Sequence, residues 1–134
     1  MRLQRCTLVK LTAVVALSGL SSCVRNEHLT TELAAIQIMR SISAAEIQYF
    51  LQNNKYADTL ATLSSATLIP STLASGEKDG YVFILALKPG GFAIQAAPKV
   101  FGTTGGRTFY CDQDGVIRQN LGPEPASANS PEVK

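Results

Sequence analysis

Three cysteines, one histidine and ten carboxylates are the side chains best suited to act as nucleophile, base or metal ligand, and their spacing narrows what they can do. A nucleophilic thiol needs a base within hydrogen-bond reach and a third group to orient that base. His28 opens a helical pattern far from Cys111, so a Cys111–His28 pair is not expected and the chain reads as non-enzymatic. Zinc-type spacing of Cys and His is absent. Asp112-Gln113-Asp114-Gly115 begins like a calcium loop but lacks the later ligands and the distal Glu of an EF-hand. A turn accounts for the same four residues, because Gly takes the positive φ and Asp caps the backbone. The turn is the favoured reading, with calcium at Asp112 and Asp114 as the lesser one and no other cofactor expected. Gly102, Gly105 and Gly106 follow no strand-to-helix phosphate pattern.

The thiol with the most informative neighbours is Cys23. Arg2, Arg5 and Lys10 precede an apolar stretch from Leu11 to Leu20, and Leu20-Ser21-Ser22-Cys23 follows directly. Such an order of basic start, apolar run and small residues is that of a secretory signal, and the apolar run is about half of the ~20 residues a bilayer-spanning helix needs. The segment resembles the lipobox of bacterial lipoproteins. That resemblance implies cleavage after Ser22, a diacylglyceryl thioether on Cys23, and an acylated (for example palmitoylated) new amino terminus. One acyl chain holds a protein only marginally, whereas two or three give stable attachment without a spanning helix. An ordinary secretory signal with a chance cysteine, or an uncleaved anchor, are the alternative readings. Val24 stands where lipoproteins kept at the inner membrane often carry Asp, which points to the outer membrane, with the head in the periplasm or at the cell surface.

Without residues 1–22 the charge changes sign: nine basic residues face ten acidic ones, a formal balance of about −1. The remaining Lys and Arg are scattered singly, which excludes the clustered electrostatic footprint of a nucleic-acid binder. Roughly 110 residues suffice for one domain with a modest core. With Cys6 lost and Cys23 lipidated, Cys111 is left without a disulfide partner and is expected to be buried in a strand as a small apolar residue.

From Glu27 to Asn53 the sequence predicts one long helix, with Leu29, Leu33, Ile36, Met39, Ser43, Ile47 and Phe50 as the buried stripe and Ile42 and Leu51 widening it. Asn53-Asn54 is its stop. Ala57 to Ile69 reads as a short second helix ended by Pro70. Four strands follow, at Tyr81–Leu87, Phe92–Ala97, Arg107–Cys111 and Val116–Gln119, joined by turns at Lys88-Pro89-Gly90-Gly91 and Asp112–Gly115. Phe83, Leu85, Leu87, Phe92, Ile94, Ala96, Phe109, Cys111 and Ile117 form one face by alternation. Helix before strands implies an α+β fold, one long N-terminal helix packed on a four-stranded antiparallel sheet. The organisation is therefore a signal at 1–22, anchor and tether at 23–28, a domain at 29–121, and a Pro/Ser/Ala tail at 122–134 that composition predicts to be disordered.

Ala34-Ala35-Ile36-Gln37-Ile38-Met39-Arg40-Ser41-Ile42-Ser43-Ala44-Ala45-Glu46-Ile47-Gln48-Tyr49, then Asn54-Lys55-Tyr56-Ala57 with Leu60 and Leu63, resembles the helix and αβ-loop of type IV pilin-like and type II secretion pseudopilin-like proteins. Gly80-Tyr81-Val82-Phe83, Ala96-Ala97-Pro98, Gly105–Tyr110 and Asp114–Arg118 resemble their sheet region in the same order. The resemblance spans about residues 29 to 119 and implies a pilin-like head. Some pseudopilins bind calcium near their last strands, which is what it implies for Asp112 and Asp114. The family's Gly-Phe-Thr-Leu-Ile-Glu start is absent here, so the implied role is an accessory component of pilus or secretion assembly and not a major filament subunit, with a membrane-anchored pilin subunit that keeps its N-terminal segment as the alternative.

On the sheet face opposite the core, Val82, Ile84, Ala86, Ala93, Ala97, Tyr110 and Val116 make a more apolar surface than a solvated face requires, which marks a candidate partner surface. Either it binds an envelope protein or the segment from Ala57 to Gly80 folds over part of it.

Overall fold

The structure is a computed structural model that describes the backbone of residues 13–134 and the side chains of residues 28–134. One long helix, α1 (Ala13–Asn53), lies against the sheet formed by β1 (Glu77–Lys78), β2 (Tyr81–Lys88), β3 (Gly91–Pro98), β4 (Thr108–Asp112) and β5 (Arg118–Asn120). All pairings are antiparallel and neighbours in sequence are neighbours in the sheet. A short α2 (Leu60–Ser65) and a 3₁₀ turn (Ser71–Leu73) connect helix to sheet. The α+β expectation holds. Among the described residues no helix is long and apolar enough to cross a membrane.

The sheet has five strands, not four. Asp79-Gly80 closes a two-residue hairpin with φ of +52° and +80°, so Glu77 pairs with Val82 and Lys78 with Tyr81. Positive φ at both central positions is the turn that matches strand twist. α1 ends as its Asn pair predicts, with Asn54 at φ +56° and its N–H on the Phe50 carbonyl. α2 is shorter than the sequence suggests. Thr59 caps it by accepting from the Thr62 N–H at 3.1 Å, and Thr67 leaves the helix with φ +59° before Pro70 is reached.

The core is one cluster from helix, connector and sheet, in which Met39, Ile42, Leu63, Phe83, Phe92, Ile94, Phe109 and Cys111 are all buried. The helix presents a different face from the one its aliphatic pattern predicts. Glu32, Ala35, Ile36, Met39, Ile42, Ser43, Ala45 and Glu46 face inward, whereas Leu29, Leu33, Ile47, Phe50 and Leu51 are exposed. The rotation is less than one residue's step of ~100°. Two carboxylates on the inward face account for it. Glu32 accepts from the Gly106 N–H at 3.0 Å and from Arg107 Nε at 2.8 Å, with Nη2 of the same guanidinium at 2.7 Å. Glu46 accepts from the Ala57 N–H at 3.0 Å. Of the predicted sheet core, Leu85 is only half-buried, and Leu87 is 53% exposed where β2 overruns the last turn of α1.

The tail from Gly122 to Lys134 lies along the sheet, where composition alone predicts disorder. Thr108 Oγ1 donates to the Glu124 carbonyl at 2.7 Å, the Gln119 N–H to the Pro131 carbonyl at 2.8 Å, and the Val133 N–H to the Ile117 carbonyl at 2.9 Å. The last two bonds use backbone groups in and just before the edge strand β5 that would otherwise be left open.

Glu32→Ala should lower stability by roughly 3 kcal/mol, because it strands a mostly buried guanidinium. For a domain of this size that is a fall of about 15 °C in Tm. Thermal unfolding of wild type, Glu32→Ala and Arg107→Ala, with the double variant no worse than either single one, checks it; a shift of a degree or two would remove the pair from its locking role.

Candidate functional site

The outer face of the sheet is built by alternation: Val82, Ile84, Ala86 and Lys88 on β2 stand opposite Ala97, Gln95, Ala93 and Gly91 on β3, and Gln95 opposite Tyr110 on β4. The Ala57–Gly80 segment does not cover it. Ala57, Leu60, Leu63, Ile69 and Leu73 are buried on the helix side of the sheet, in the same cluster as Met39 and Phe83.

The face has two halves. Near β2, Ile84 is 57% exposed, Ala86 and Ala97 are exposed, and Val82 and Ala93 are half-buried. Near β4 a polar network closes over the sheet. Lys88 Nζ lies 2.8 Å from Asp112 Oδ2 and 3.3 Å from Tyr110 Oη, and 5.9 Å from the centre of the Tyr110 ring. Tyr110 is consequently buried and leaves the apolar surface predicted for it. Val116 also leaves it, since it sits in the β4–β5 turn before Arg118 begins β5. Of the predicted partner surface, Val82, Ile84 and Ala86 remain together and Tyr110 and Val116 do not join them.

Asp112 and Asp114 are occupied as turn residues. Asp112 Oδ1 accepts from the Asp114 N–H at 3.1 Å, Asp114 Oδ1 from the Val116 N–H at 2.8 Å, and Gly115 has φ +78°. Burial works against ionised Asp112, but hydrogen bonds from Lys88 and Asp114 outweigh it and hold the carboxyl at about 2. The same hydrogen bond to Asp112 raises Lys88. Among the described residues no group of three or more His, Cys, Asp or Glu is placed to hold a metal ion.

Cys111 is buried, as expected, and burial pushes its thiol up to about 11, against the hydroxyl of Ser43 beside it. His28 is half-buried and stands fifteen residues before Ser43 on α1, about 22 Å at 1.5 Å per residue. The two groups are therefore far outside hydrogen-bond reach. The side chains of the lipobox, that of Cys23 among them, lie outside the described side chains.

Glu46 is the group that sequence reasoning missed. It is 0% exposed, its Oε2 is held by the Ala57 N–H, and its Oε1 has no partner among the described residues. Burial pushes its carboxyl up to about 7; the Ala57 hydrogen bond works against this, and Asp58 adds to it. A signal did exist: Glu32 and Glu46 lie seven residues either side of Met39, so both occupy the phase of a fully buried helix position.

Compared with protein-family models, with curated proteins and with solved structures, the chain matches none.

Because the folded pKa of Glu46 lies above its unfolded value of 4.5, the fold binds the extra proton between them. That stabilisation is complete below about pH 4.5 and is lost as pH rises through 7. The protein should be on the order of 2–3 kcal/mol less stable at pH 8 than at pH 5, and Glu46→Gln should flatten the profile. Chemical denaturation at the two pH values decides it; a wild type with no slope would show that Glu46 is solvated.

Proposed function

We propose that this chain is a non-enzymatic, lipid-anchored protein of the cell envelope whose pilin-like head acts by protein interaction, as an accessory component of type IV pilus or type II secretion assembly. The observation that carries the reading is the sequence Leu20-Ser21-Ser22-Cys23 directly behind a basic start and a short apolar run. The head supports it through its arrangement. A long helix is the spine, one face of an antiparallel meander packs on it, and the other face keeps an exposed aliphatic strip at Val82, Ile84 and Ala86. In this reading the membrane is reached through the lipid on Cys23, the outer membrane in preference to the inner, and the strip meets an envelope partner.

The geometry weighs against a calcium role for Asp112 and Asp114, because their carboxylates already serve Lys88 and the turn backbone. It also weighs against a hydrolase built on Cys111, whose thiol is buried and remote from His28.

Intact-mass analysis of membrane-extracted wild type beside Cys23→Ala tests the anchor. The expected wild-type species starts at an acylated Cys23, and the variant should lose both the acyl mass and detergent-phase partition. An unmodified chain that keeps residues 1–22 would instead make that segment the anchor. For the partner strip, Val82→Asp and Ile84→Asp should deplete co-purifying envelope proteins while leaving Tm and localisation intact; unchanged co-purification ends the claim for that face.

A further inference from the structure

Half of the large apolar side chains exposed on the described surface gather at one end of the head: Leu29, Leu33, Val100, Phe101 and Leu121. It is the end where β2 begins, β3 finishes and β4 begins, and where Glu32 of α1 meets Gly106 and Arg107. From this end α1 continues towards its N-terminal residues.

The loop between β3 and β4 presents Val100 and Phe101 from a closed frame. The Val100 carbonyl accepts from the Thr103 and Thr104 N–H groups at 3.1 and 2.9 Å, and the Gly102 N–H donates to the Gly105 carbonyl at 2.8 Å. Thr31 of α1 pins the loop by donating to the Thr104 carbonyl at 2.6 Å. Backbone groups that satisfy one another can leave water at little cost, which is the requirement for any segment that enters an apolar phase. The two side chains at the tip nevertheless remain 52% and 46% exposed.

From Thr31 back to Cys23 is eight helical residues, about 12 Å. A lipid on Cys23 would place this end, and not the opposite one, next to the headgroups, whose layer is itself roughly 5–8 Å deep. We infer that the Val100–Phe101 loop tip is a second membrane contact that lies in the lipid interface beside the anchor and fixes the orientation of the head. The inference rests on lipidation at Cys23. The contact is apolar in character: Lys99 is 2.9 Å from Glu77, and Lys78 is followed by Asp79, so among the described residues no net positive charge attracts anionic lipid. The interaction is therefore expected with zwitterionic lipid and at high salt.

The chain has no tryptophan, so one introduced residue reports its own surroundings. The lipidated mature form of Phe101→Trp, and of Leu87→Trp at the opposite end of the sheet, is reconstituted into phosphatidylcholine vesicles with and without brominated acyl chains. Each variant is first checked for a wild-type Tm, and Val100→Trp replaces Phe101→Trp if that one fails. The expected result is blue-shifted emission that brominated lipid quenches at position 101, unchanged in high salt, with no quenching at 87. Protein that floats with the vesicles but shows no quenching at 101 overturns the contact and leaves the anchor standing. Quenching equal at 101 and 87 overturns it too, since the head would then have no fixed orientation. Protein that does not float at all refutes the anchor, and the contact with it.

Discussion

A single helix has to cover one face of a five-stranded sheet, and it can do so at native density only if its inward side is narrow where the strands come close. α1 meets this with the small Ala35, Ser43 and Ala45 buried among the larger Ile36, Met39 and Ile42. Small side chains alone would let the helix roll about its axis, because apolar packing is non-directional. Glu32 and Glu46 remove that freedom. Each reaches a different segment of the chain, Glu32 the start of β4 and Glu46 the loop after the helix. The two lie fourteen residues apart, about 21 Å along the axis, and so set the rotation of α1 at two separated points.

They act through different chemistry. Glu32 forms a charge-assisted fork with Arg107, whose guanidinium also donates to Gln119 at 2.6 Å and lies 5.5 Å from the centre of the Phe109 ring. The helix, β4 and β5 are thus tied through one cation. Tyr81 adds to this end by donating to the Arg107 carbonyl at 2.9 Å, and burial followed by the charge of Glu32 pushes its phenol well up. Glu46 has a single backbone donor and one unpartnered oxygen, so its charge is poorly compensated. The far end of the helix is the weaker clamp. There Phe50, Tyr56 and Phe92 continue the contact as aromatic neighbours, with centroids 4.7 and 5.1 Å apart, beside the exposed Leu87.

What could be read in the sequence follows from how local the determinant is. The helix end at Asn54, the β2 and β3 hairpin and the burial of Phe83, Phe92, Ile94, Phe109 and Cys111 depend on turn chemistry and period-two alternation, both local. The inward face of α1 is not legible in the sequence because aliphatic residues occupy a sector wider than one contact face. Only the partners of Glu32 and Glu46, one of them some seventy residues away, decide which edge of that sector turns inward. β1 was missed because two polar residues carry no periodicity, although the Asp79-Gly80 pair behind them is itself a hairpin signal. The outer face was read half correctly. Alternation placed Tyr110 there, but the long side chain of Lys88, from the far edge of the neighbouring hairpin, closes over it.

These features give the domain two unlike surfaces. The outer face of the sheet divides into an aliphatic strip on β2 and a charged lid of Lys88 and Asp112 over Tyr110, so one partner approaching it would meet both an apolar area and a fixed polar border. Such a combination favours a defined register over loose adhesion, because a misplaced partner would bury the charged pair without compensation. The end surface around Phe101 has no such border, since the Val100 carbonyl and the Gly102, Thr103 and Thr104 N–H groups are paired within the loop and its charges are of mixed sign. A surface without fixed polar partners suits a phase that makes no directional demands, which is the property of lipid and not of a protein interface. The rigidity that Glu32 and Arg107 impose at that end then has a consequence beyond stability: it couples the orientation of the loop tip to that of α1, so a contact at one end would set the direction in which the outer sheet face is presented.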